Sequence, residues 1–359
     1  MKPGLEDVVA AETVLSEVDG DHGRLVVRGH TLAELTRNFG FEGTAALLWD
    51  DFVAVPCDRA SVAAGLGAAR IAASAHVPKL IAASRGLTPV EALRVGLGML
   101  SDADPTPHHL LVTGAMPVFL AGILRAGEGK APVAPDARLG HAADFLRMLK
   151  GTQPGAQESA ALDAYLTTVA EHGMNASTFT ARIVASTRAG TISAVLAALC
   201  ALKGPLHGGA PGPVLDMLDE IGTAERAKPW FVEAMARGER LMGFGHRVYK
   251  VRDPRADVLK AVVLGMPRTG NRIVFAELVE REALAALHRL KPGRPLETNV
   301  EFYTALLLDA IGLPRAAFTA VFAVGRVAGW CAHIMEQERL DRLMRPQSVY
   351  VGPPLASAA

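Results

Sequence analysis

Apolar residues recur every three or four positions over most of the chain, which is the spacing of helices that bury one face. The segment TPVE at 88–91 adds a helix-start signal, because threonine caps a helix, proline fits its first turn and glutamate completes the cap. Exposed loops are predicted at 126–138 and 151–157. Helical runs are predicted at 58–125 (broken at prolines), 158–172, 176–202, 256–265, 272–290, 300–310 and 316–339.

Strand signals are concentrated in the first thirty residues and are sparse afterwards. Short alternating segments at 13–16, 18–20 and 24–29, separated by glycines, favour a small hairpin. Thr31 then opens a helix, with Glu34 placed to complete its cap. We therefore predict a mainly α fold with a short β lead-in at the N-terminus.

The composition predicts a closely packed core, and it shows no net excess of positive or negative charge. The 359 residues are 50% apolar but only 5% aromatic, so small side chains dominate the core and suit closely packed helices. Lys and Arg (37) balance Asp and Glu (37), which gives a formal net charge of zero and disfavours nucleic acid or an anionic membrane as a partner. A chain of this length usually exceeds one core, so we expect two domains, or one large and one small lobe. Any anion site must depend on locally concentrated charge.

Cysteine usage and hydropathy favour a cytoplasmic protein. Cys57, Cys200 and Cys331 are far apart and form no disulfide framework or CxxC metal pair. The first 23 residues are acidic and lack the apolar stretch of a signal peptide. The apolar segment at 191–202 is too short to span a bilayer, which needs about 20 residues.

Three histidines lie beside turn glycines: His172 in EHGMNAS, His207 in GPLHGG and His246 in GFGHRVYK. Backbone at glycine can approach a ligand closely, and imidazole exchanges protons near neutral pH. A single such histidine is more often an ordinary core or surface residue, but three in the same setting favour a binding or catalytic role. No HExxH or carboxylate cluster accompanies them, so metal catalysis is the weaker alternative.

Charged residues supply the second set of candidates. Arginine forks suit carboxylates, and lysine suits a phosphate. Arg326 interrupts an apolar helical run at 318–330, where a cation is costly unless a carboxylate or a bound anion pairs with it. Glu301 stands at the head of another apolar helix, where the helix dipole alone would explain an acid. The cationic candidates are Lys250, Arg252, Arg255, Arg326 and Arg345.

Taken in order, these blocks resemble the citrate synthases nearly end to end, in the shorter bacterial form. The resemblance is carried by 19–29, 41–42, 175–179, 204–209, 243–255, 299–303, 322–330, 336–337, 345–346 and 350–353. It implies a two-domain helical homodimer. Residues 1–206 and 307–359 would form a large, dimerising domain, and 207–306 a small domain on the coenzyme A side of a cleft.

The resemblance also implies an activity: acetyl-CoA condenses with oxaloacetate to give citrate and free CoA, without a metal or a permanently bound cofactor. His207 matches the histidine that polarises the thioester carbonyl, and His246 the one that protonates the oxaloacetate carbonyl. Glu301 falls at the base that removes the methyl proton. The resemblance assigns the dicarboxylate to His172, Arg255, Arg326 and Arg345 (the last from the partner subunit), and CoA to Lys250, Gly243 and Gly245.

Four places depart from the family pattern. Glu301 replaces aspartate, Gly190 replaces aspartate, Pro211-Gly212 replaces Asn-Glu and Gly325 replaces serine. The extra methylene of Glu301 could move its carboxylate by about 1 Å, and such a misplacement can cost roughly 100-fold in rate. Two alternatives therefore stand beside citrate synthase: a 2-methylcitrate synthase that uses propionyl-CoA, and a weakly active or non-catalytic paralogue that binds ligand.

Overall fold

The computed structural model describes residues 3–5, 8–55, 57–208, 211–266, 270–290, 293 and 296–353. Its strands, β1 (Ser16–Asp19), β2 (Arg24–Val27) and β3 (His30–Thr31), form one antiparallel sheet in the order β1-β2-β3. Ser16 pairs with Val27 across the hairpin. The predicted β lead-in is confirmed, although the first strand begins at Ser16 rather than at residue 13.

Helices make up most of the remaining described chain, which confirms the mainly α class. In chain order they are α1 (Leu32–Glu34), α2 (Gly40–Trp49), α3 (Arg59–Ser74), α4 (Val77–Ala83), α5 (Pro89–Gly98), α6 (His108–Gly127), α7 (His141–Lys150), α8 (Ala156–Val169), α9 (Ala176–Ala185), α10 (Thr191–Leu202), α11 (Pro211–Ile221), α12 (Ala224–Ala236), α13 (Pro254–Leu264), α14 (Gly270–Leu290), α15 (Val300–Ala310) and α16 (Phe318–Leu340). Both predicted capping boxes form, at the start of α1 and of α5.

Helix α16 lies at the centre of the core. Residues 320–334 are all buried, and α16 packs against α2, α5, α6, α8, α9 and α10. Its apolar residues on every face are typical of a buried helix, and Arg326 and His333 are polar exceptions within this stretch. Both α6 and the segment Arg315–Leu340 are long and apolar enough to span a bilayer, but most of their residues are buried inside the protein, as in core helices.

The predicted run at 176–202 is wrong as a single helix. Helix α9 ends at Ala185 and α10 begins at Thr191. Arg188 and Gly190 between them have φ values of 61° and 86°, which lie outside the range of a right-handed helix. Helix α12 is also missing from the prediction, because Pro229 lies inside it.

Helices α11 to α15 surround the residues that carry most of the candidate chemistry. Within this group, α13 and α11 pack on α15, and α12 packs on α14. Helices α13 and α15 also contact α8. The division into domains at 207–306 remains a prediction.

Candidate active site

Asn299 and Asp253 hold three candidate segments together. Asn299 caps α15: its Oδ1 accepts from the Glu301 N–H at 3.0 Å, and its Nδ2 donates to the Gly245 carbonyl at 2.8 Å. Asp253 caps α13, and its Oδ2 also accepts from the Val300 N–H at 3.1 Å. The glycine loop, the start of α13 and the start of α15 therefore have fixed relative positions.

Gly243 and Gly245 occupy backbone that other residues rarely adopt. Their φ values are 86° and 81°. A Cβ on Gly245 would also lie 2.7 Å from Leu296 Cδ2. The Asn299 N–H donates to the Gly243 carbonyl at 3.0 Å. Glycine is needed at both positions to bring this loop against the start of α15.

His207 follows α10, and its Nε2 faces Ser177. The Ser177 backbone N–H donates to Nε2 at 3.3 Å, and the Ser177 hydroxyl lies 2.8 Å from the same nitrogen. A backbone N–H needs a lone pair as its acceptor, so we assign the ring proton to Nδ1. Burial, with Arg326 and Arg255, lowers the pKa of His207 to about 4. The side chain is therefore a neutral N–H donor at pH 7.

His246 has the opposite tautomer. Its Nδ1 accepts from the backbone N–H groups of Val248 and Tyr249, both at 3.1 Å, which places the ring proton on Nε2. This Nε2 lies 3.3 Å from Arg255 Nη2, which is also a donor, so with the proton on Nε2 the two nitrogens do not hydrogen-bond to each other. Two donors that converge in this way can hold one oxygen between them. Burial, with Arg255, lowers the pKa of His246 to about 4, so this ring is also neutral.

His172 completes the histidine group. Its Nε2 lies 3.1 Å from the Tyr249 hydroxyl, and its ring centre is 5.5 Å from that of His246. Burial, then Arg255 and Arg326, lower the pKa of His172 well below its ordinary value. The structure thus brings together the three histidines and two of the arginines that the sequence singled out.

Arg255 and Arg326 concentrate positive charge at this site. Arg255 is 3% exposed and binds Asp253 through both Nε and Nη2. Arg326 is 1% exposed and donates from Nε to the Val169 carbonyl at 2.6 Å. Its Nη2 is buried without a hydrogen-bond partner among the described residues. A buried guanidinium with an unused donor is stabilised when an anionic ligand reaches it.

A buried polar chain behind Arg326 was missed by the sequence reasoning. Glu171, whose charge faces Arg326, accepts from His333 Nε2 at 3.0 Å. The other ring nitrogen of His333 lies 3.0 Å from Arg182 Nη1, and Arg182 forms an ion pair with Glu336. His333 follows Arg326 by seven positions, which is two turns on one face of α16. That spacing was the available signal.

Glu301 lies in the first turn of α15, near Arg255 and Arg240. No described residue donates a hydrogen bond to its carboxylate. Burial raises the pKa of Glu301 to about 7, and the two arginines oppose this rise. A carboxyl group that titrates near neutral pH is suited to accept a proton from a weak acid.

A cleft of about 690 Å³ opens beside His246. Arg240, Arg247 and Lys250 line it, and Gly245 and Tyr249 form part of its wall. The Lys250 ammonium lies 2.7 Å from Asp21 Oδ1, and both side chains are exposed. The cleft can therefore take a large anionic ligand at its mouth.

Arg345 is exposed on the tail that follows α16. The adjacent Met344 N–H donates to the Ser186 hydroxyl at 3.1 Å, near the end of α9. None of the described contacts of Arg345 within this chain joins it to the histidine group. Across the described ranges, no group of three or more His, Cys, Asp or Glu side chains is placed to hold a metal ion.

Comparison with known proteins gives a consistent picture. A family model described as "Citrate synthase, C-terminal domain" matches residues 4–347. The citrate synthase of Deinococcus radiodurans is 35% identical over 359 residues, 97% of this chain and 95% of that protein. The crystal structure of citrate synthase from Thermotoga maritima MSB8 has a TM-score of 0.88 at 32% identity, covering 100% of this chain and 98% of that one.

A second related structure contains ligands. It is the ternary complex of carboxymethyl coenzyme A and oxaloacetate with citrate synthase from Thermoplasma acidophilum. That chain is 27% identical with a TM-score of 0.86, and the match covers 99% of this chain and 97% of that one.

Proposed function

Because the chain belongs to the citrate synthase family and is an acyltransferase of that type, we propose that it condenses acetyl-CoA with oxaloacetate to give citrate and free CoA. One observation carries the proposal. Two neutral histidines with opposite tautomers and a carboxyl group whose pKa is about 7 all lie near Arg255. Enolisation of a thioester needs a base together with a donor to the developing enolate oxygen.

In the first step, the Glu301 carboxylate removes a proton from the acetyl methyl group. The electron pair of the C–H bond moves toward the thioester oxygen, which accepts a hydrogen bond from His207 Nδ1–H. Ser177 keeps that proton on Nδ1, because its backbone N–H occupies the lone pair of Nε2. The weak carbon acid thereby loses its proton without a metal ion.

In the second step, the enol carbon attacks the oxaloacetate carbonyl carbon and a C–C bond forms. The carbonyl oxygen lies between His246 Nε2 and Arg255 Nη2, and it takes the proton from His246 as it becomes a hydroxyl. Arg326, with its unused Nη2, binds one carboxylate of oxaloacetate, beside His172. Water then adds its oxygen to the thioester carbonyl carbon, the C–S bond breaks, and the CoA sulfur takes a proton from that water, which releases citrate and CoA. The proton that Glu301 removed from the methyl group returns to His246 Nε2.

CoA itself would occupy the cleft beside His246. Lys250, at the cleft's mouth, would exchange its ion pair with Asp21 for a phosphate of CoA, while Gly243 and Gly245 let the backbone approach the ligand. Closure of a small domain, 207–306, over this cleft would exclude water from the enolate. We also propose a cytoplasmic homodimer in which Arg345 reaches the partner's site.

The test measures free thiol release from acetyl-CoA or propionyl-CoA in the presence of oxaloacetate. We expect turnover with acetyl-CoA. Preference for propionyl-CoA would make the chain a 2-methylcitrate synthase, the alternative raised by the longer side chain of Glu301. Oxaloacetate binding by calorimetry without turnover of either thioester would overturn both enzyme assignments.

A further inference from the structure

The N-terminal hairpin carries one of the blocks of the family resemblance, 19–29, yet the proposed reaction gives it no role. Its turn joins β1 to β2 through residues 20–23. The sheet to which it belongs has three short strands and lies at the start of the chain. The turn nevertheless contacts the segment that follows His246, more than 220 positions further along the chain.

Gly20 and Val248 meet backbone to backbone. The Lys250 N–H donates to the Gly20 carbonyl at 2.9 Å. A Cβ on Gly20 would lie 2.1 Å from the carbonyl oxygen of Val248 and 2.7 Å from its carbonyl carbon. Real side chains do not approach backbone atoms this closely, so any residue larger than glycine must displace the segment or the turn. Gly20 does not have a positive φ, so steric contact alone requires glycine there.

A second glycine of the turn repeats the contact. A Cβ on Gly23 would lie 2.8 Å from Val251 Cγ2 and 3.0 Å from the Arg252 carbonyl oxygen. The turn therefore touches four residues of the segment 248–252, namely Val248, Lys250, Val251 and Arg252. This docking covers far more of the segment than the exposed ion pair between Asp21 and Lys250 does.

The segment that the turn contacts determines which ring nitrogen of His246 carries the proton. The N–H groups of Val248 and Tyr249 are the two donors to His246 Nδ1, and they keep the ring proton on Nε2. The Tyr249 hydroxyl also meets His172 Nε2 at 3.1 Å. One displaced peptide would therefore alter two histidines of the site.

The other end of β1 is also anchored near the site. The Ser16 hydroxyl donates to Glu171 Oε1 at 2.8 Å, in the residue before His172. Further along the same strand, Val18 lies beside Gly173: a Cβ on Gly173 would lie 3.0 Å from Val18 Cγ2. Strand β1 and its turn thus reach from the segment 171–173 to the segment after His246, and they link the two.

We propose that the hairpin turn is a positioning element for the proposed general acid, with Gly20 holding the Val248 and Tyr249 amides against His246 Nδ1. The proposal rests on the role assigned to His246 above. It makes Gly20 a positioning residue, since it touches no reacting atom and acts through the peptides of 248–250.

The test substitutes Gly20→Ala. We expect kcat to fall roughly 100-fold, the loss typical of a misplacement of about 1 Å, with little change in KM for acetyl-CoA. In long-range ¹H–¹⁵N spectra of ¹⁵N-histidine-labelled protein, the His246 ring should no longer be purely the Nε2–H tautomer. The His246 signal is the one that is absent from the His246→Gln variant.

Gly98→Ala is the matched control, because Gly98 is exposed on α5 with no atom within 4 Å of its Cβ position. His22→Ala, at a side chain that is 81% exposed in the same turn, controls for the turn itself.

The outcomes separate this proposal from the proposed function. An unchanged tautomer and kcat in a folded Gly20→Ala protein would overturn the positioning role, as would an equal loss in the two controls. If Gly20→Ala does not fold, Gly23→Ala decides by the same two readouts. If the wild-type protein turns over neither thioester, the proposed function fails, and the tautomer spectrum alone still decides what the turn does.

Discussion

The Glu301 carboxyl group should set the pH dependence of the reaction. Only its ionised form accepts a proton, and burial raises its pKa to about 7. We expect kcat/KM for acetyl-CoA to rise about tenfold per pH unit below this pKa and to level off above it. Rate measurements between pH 5.5 and 8.5 (roughly three units spanning the pKa) check this.

Two substitutions at the same position identify the base. Glu301→Gln removes the proton acceptor and should abolish turnover at every pH, while Glu301→Asp retains a carboxylate and should retain activity. An unaltered rate in the glutamine variant would show that another group removes the proton.

Arg326 should dominate oxaloacetate binding. Arg326→Ala removes a buried cation whose Nη2 has no partner in the described protein, so binding should weaken roughly 100-fold or more. Calorimetric titration with oxaloacetate measures the change. Arg138→Ala removes an arginine that is 89% exposed and should leave affinity unchanged. Near-wild-type affinity in Arg326→Ala would refute its assignment to the dicarboxylate.

At the scale of single residues, the sequence was most informative where a residue differs in character from the residues around it. A cation inside the apolar run at 318–330 pointed to Arg326, and turn glycines pointed to His207 and His246. The Nδ1 donors of His246 could not be predicted, because backbone amides have no sequence signature. Arg182 and His333 were missed because their partners lie about 150 positions away, and only the fold brings them together.

At the scale of elements, two glycines let α16 pack closely against the end of α8. A Cβ on Gly329 would lie 2.2 Å from the Ala170 carbonyl oxygen and 2.5 Å from Glu171 Oε2. A Cβ on Gly325 would lie 2.5 Å from Val169 Cγ2 and 3.1 Å from the Leu166 carbonyl oxygen, so its closest backbone contact is looser than that of Gly329. The replacement of serine by Gly325 therefore belongs to helix packing beside Arg326 and leaves the charged groups of the site in place.

Gly329→Ala should therefore destabilise the protein more than Gly325→Ala does, since a backbone carbonyl cannot move aside. We expect losses of about 3 and about 1 kcal/mol in the free energy of unfolding, measured by denaturant titration. Gly98→Ala, on the exposed face of α5, should be neutral or slightly stabilising because alanine favours helix. Equal losses at positions 325 and 329 would contradict this account.

Long helices were predictable because their periodicity is strong, whereas breaks within them were not. The run at 176–202 contains no proline to mark a break, and Gly190 could be tolerated inside a helix. Gly190 has a φ of 86°, which glycine adopts more readily than other residues, and a Cβ there would lie 3.3 Å from Asp102 Oδ1. Pro211 begins α11, where a missing N–H costs nothing, so this departure is also explained by local backbone structure.

At the scale of the whole molecule, a mixing experiment tests whether Arg345 acts across a dimer. A protein carrying His246→Ala and another carrying Arg345→Ala should each be nearly inactive. If Arg345 acts in trans, a mixed dimer contains one site with both residues intact, so random mixing should restore about a quarter of wild-type activity. Activity that stays at the level of the single variants would place Arg345 in its own subunit's site or outside any site.

Neutrality of the chain as a whole conceals strong local charge. The 37 cationic and 37 anionic side chains cancel in sum, yet Arg255 and Arg326 are buried close together in one site. Composition therefore excludes a broad basic surface and says nothing about a buried anion site.

The central position of α16 has a consequence for synthesis of the chain. It is the last described helix to be made, and the helices around it are complete before it exists. The Trp49 indole N–H donates to the carbonyl of Ala328, 279 positions later, and Glu336 accepts from the Val14 N–H across 322 positions. Contacts of such high sequence separation form slowly, and the apolar faces of the earlier helices stay open until then. The core around α16 therefore cannot be completed before residue 340 has left the ribosome.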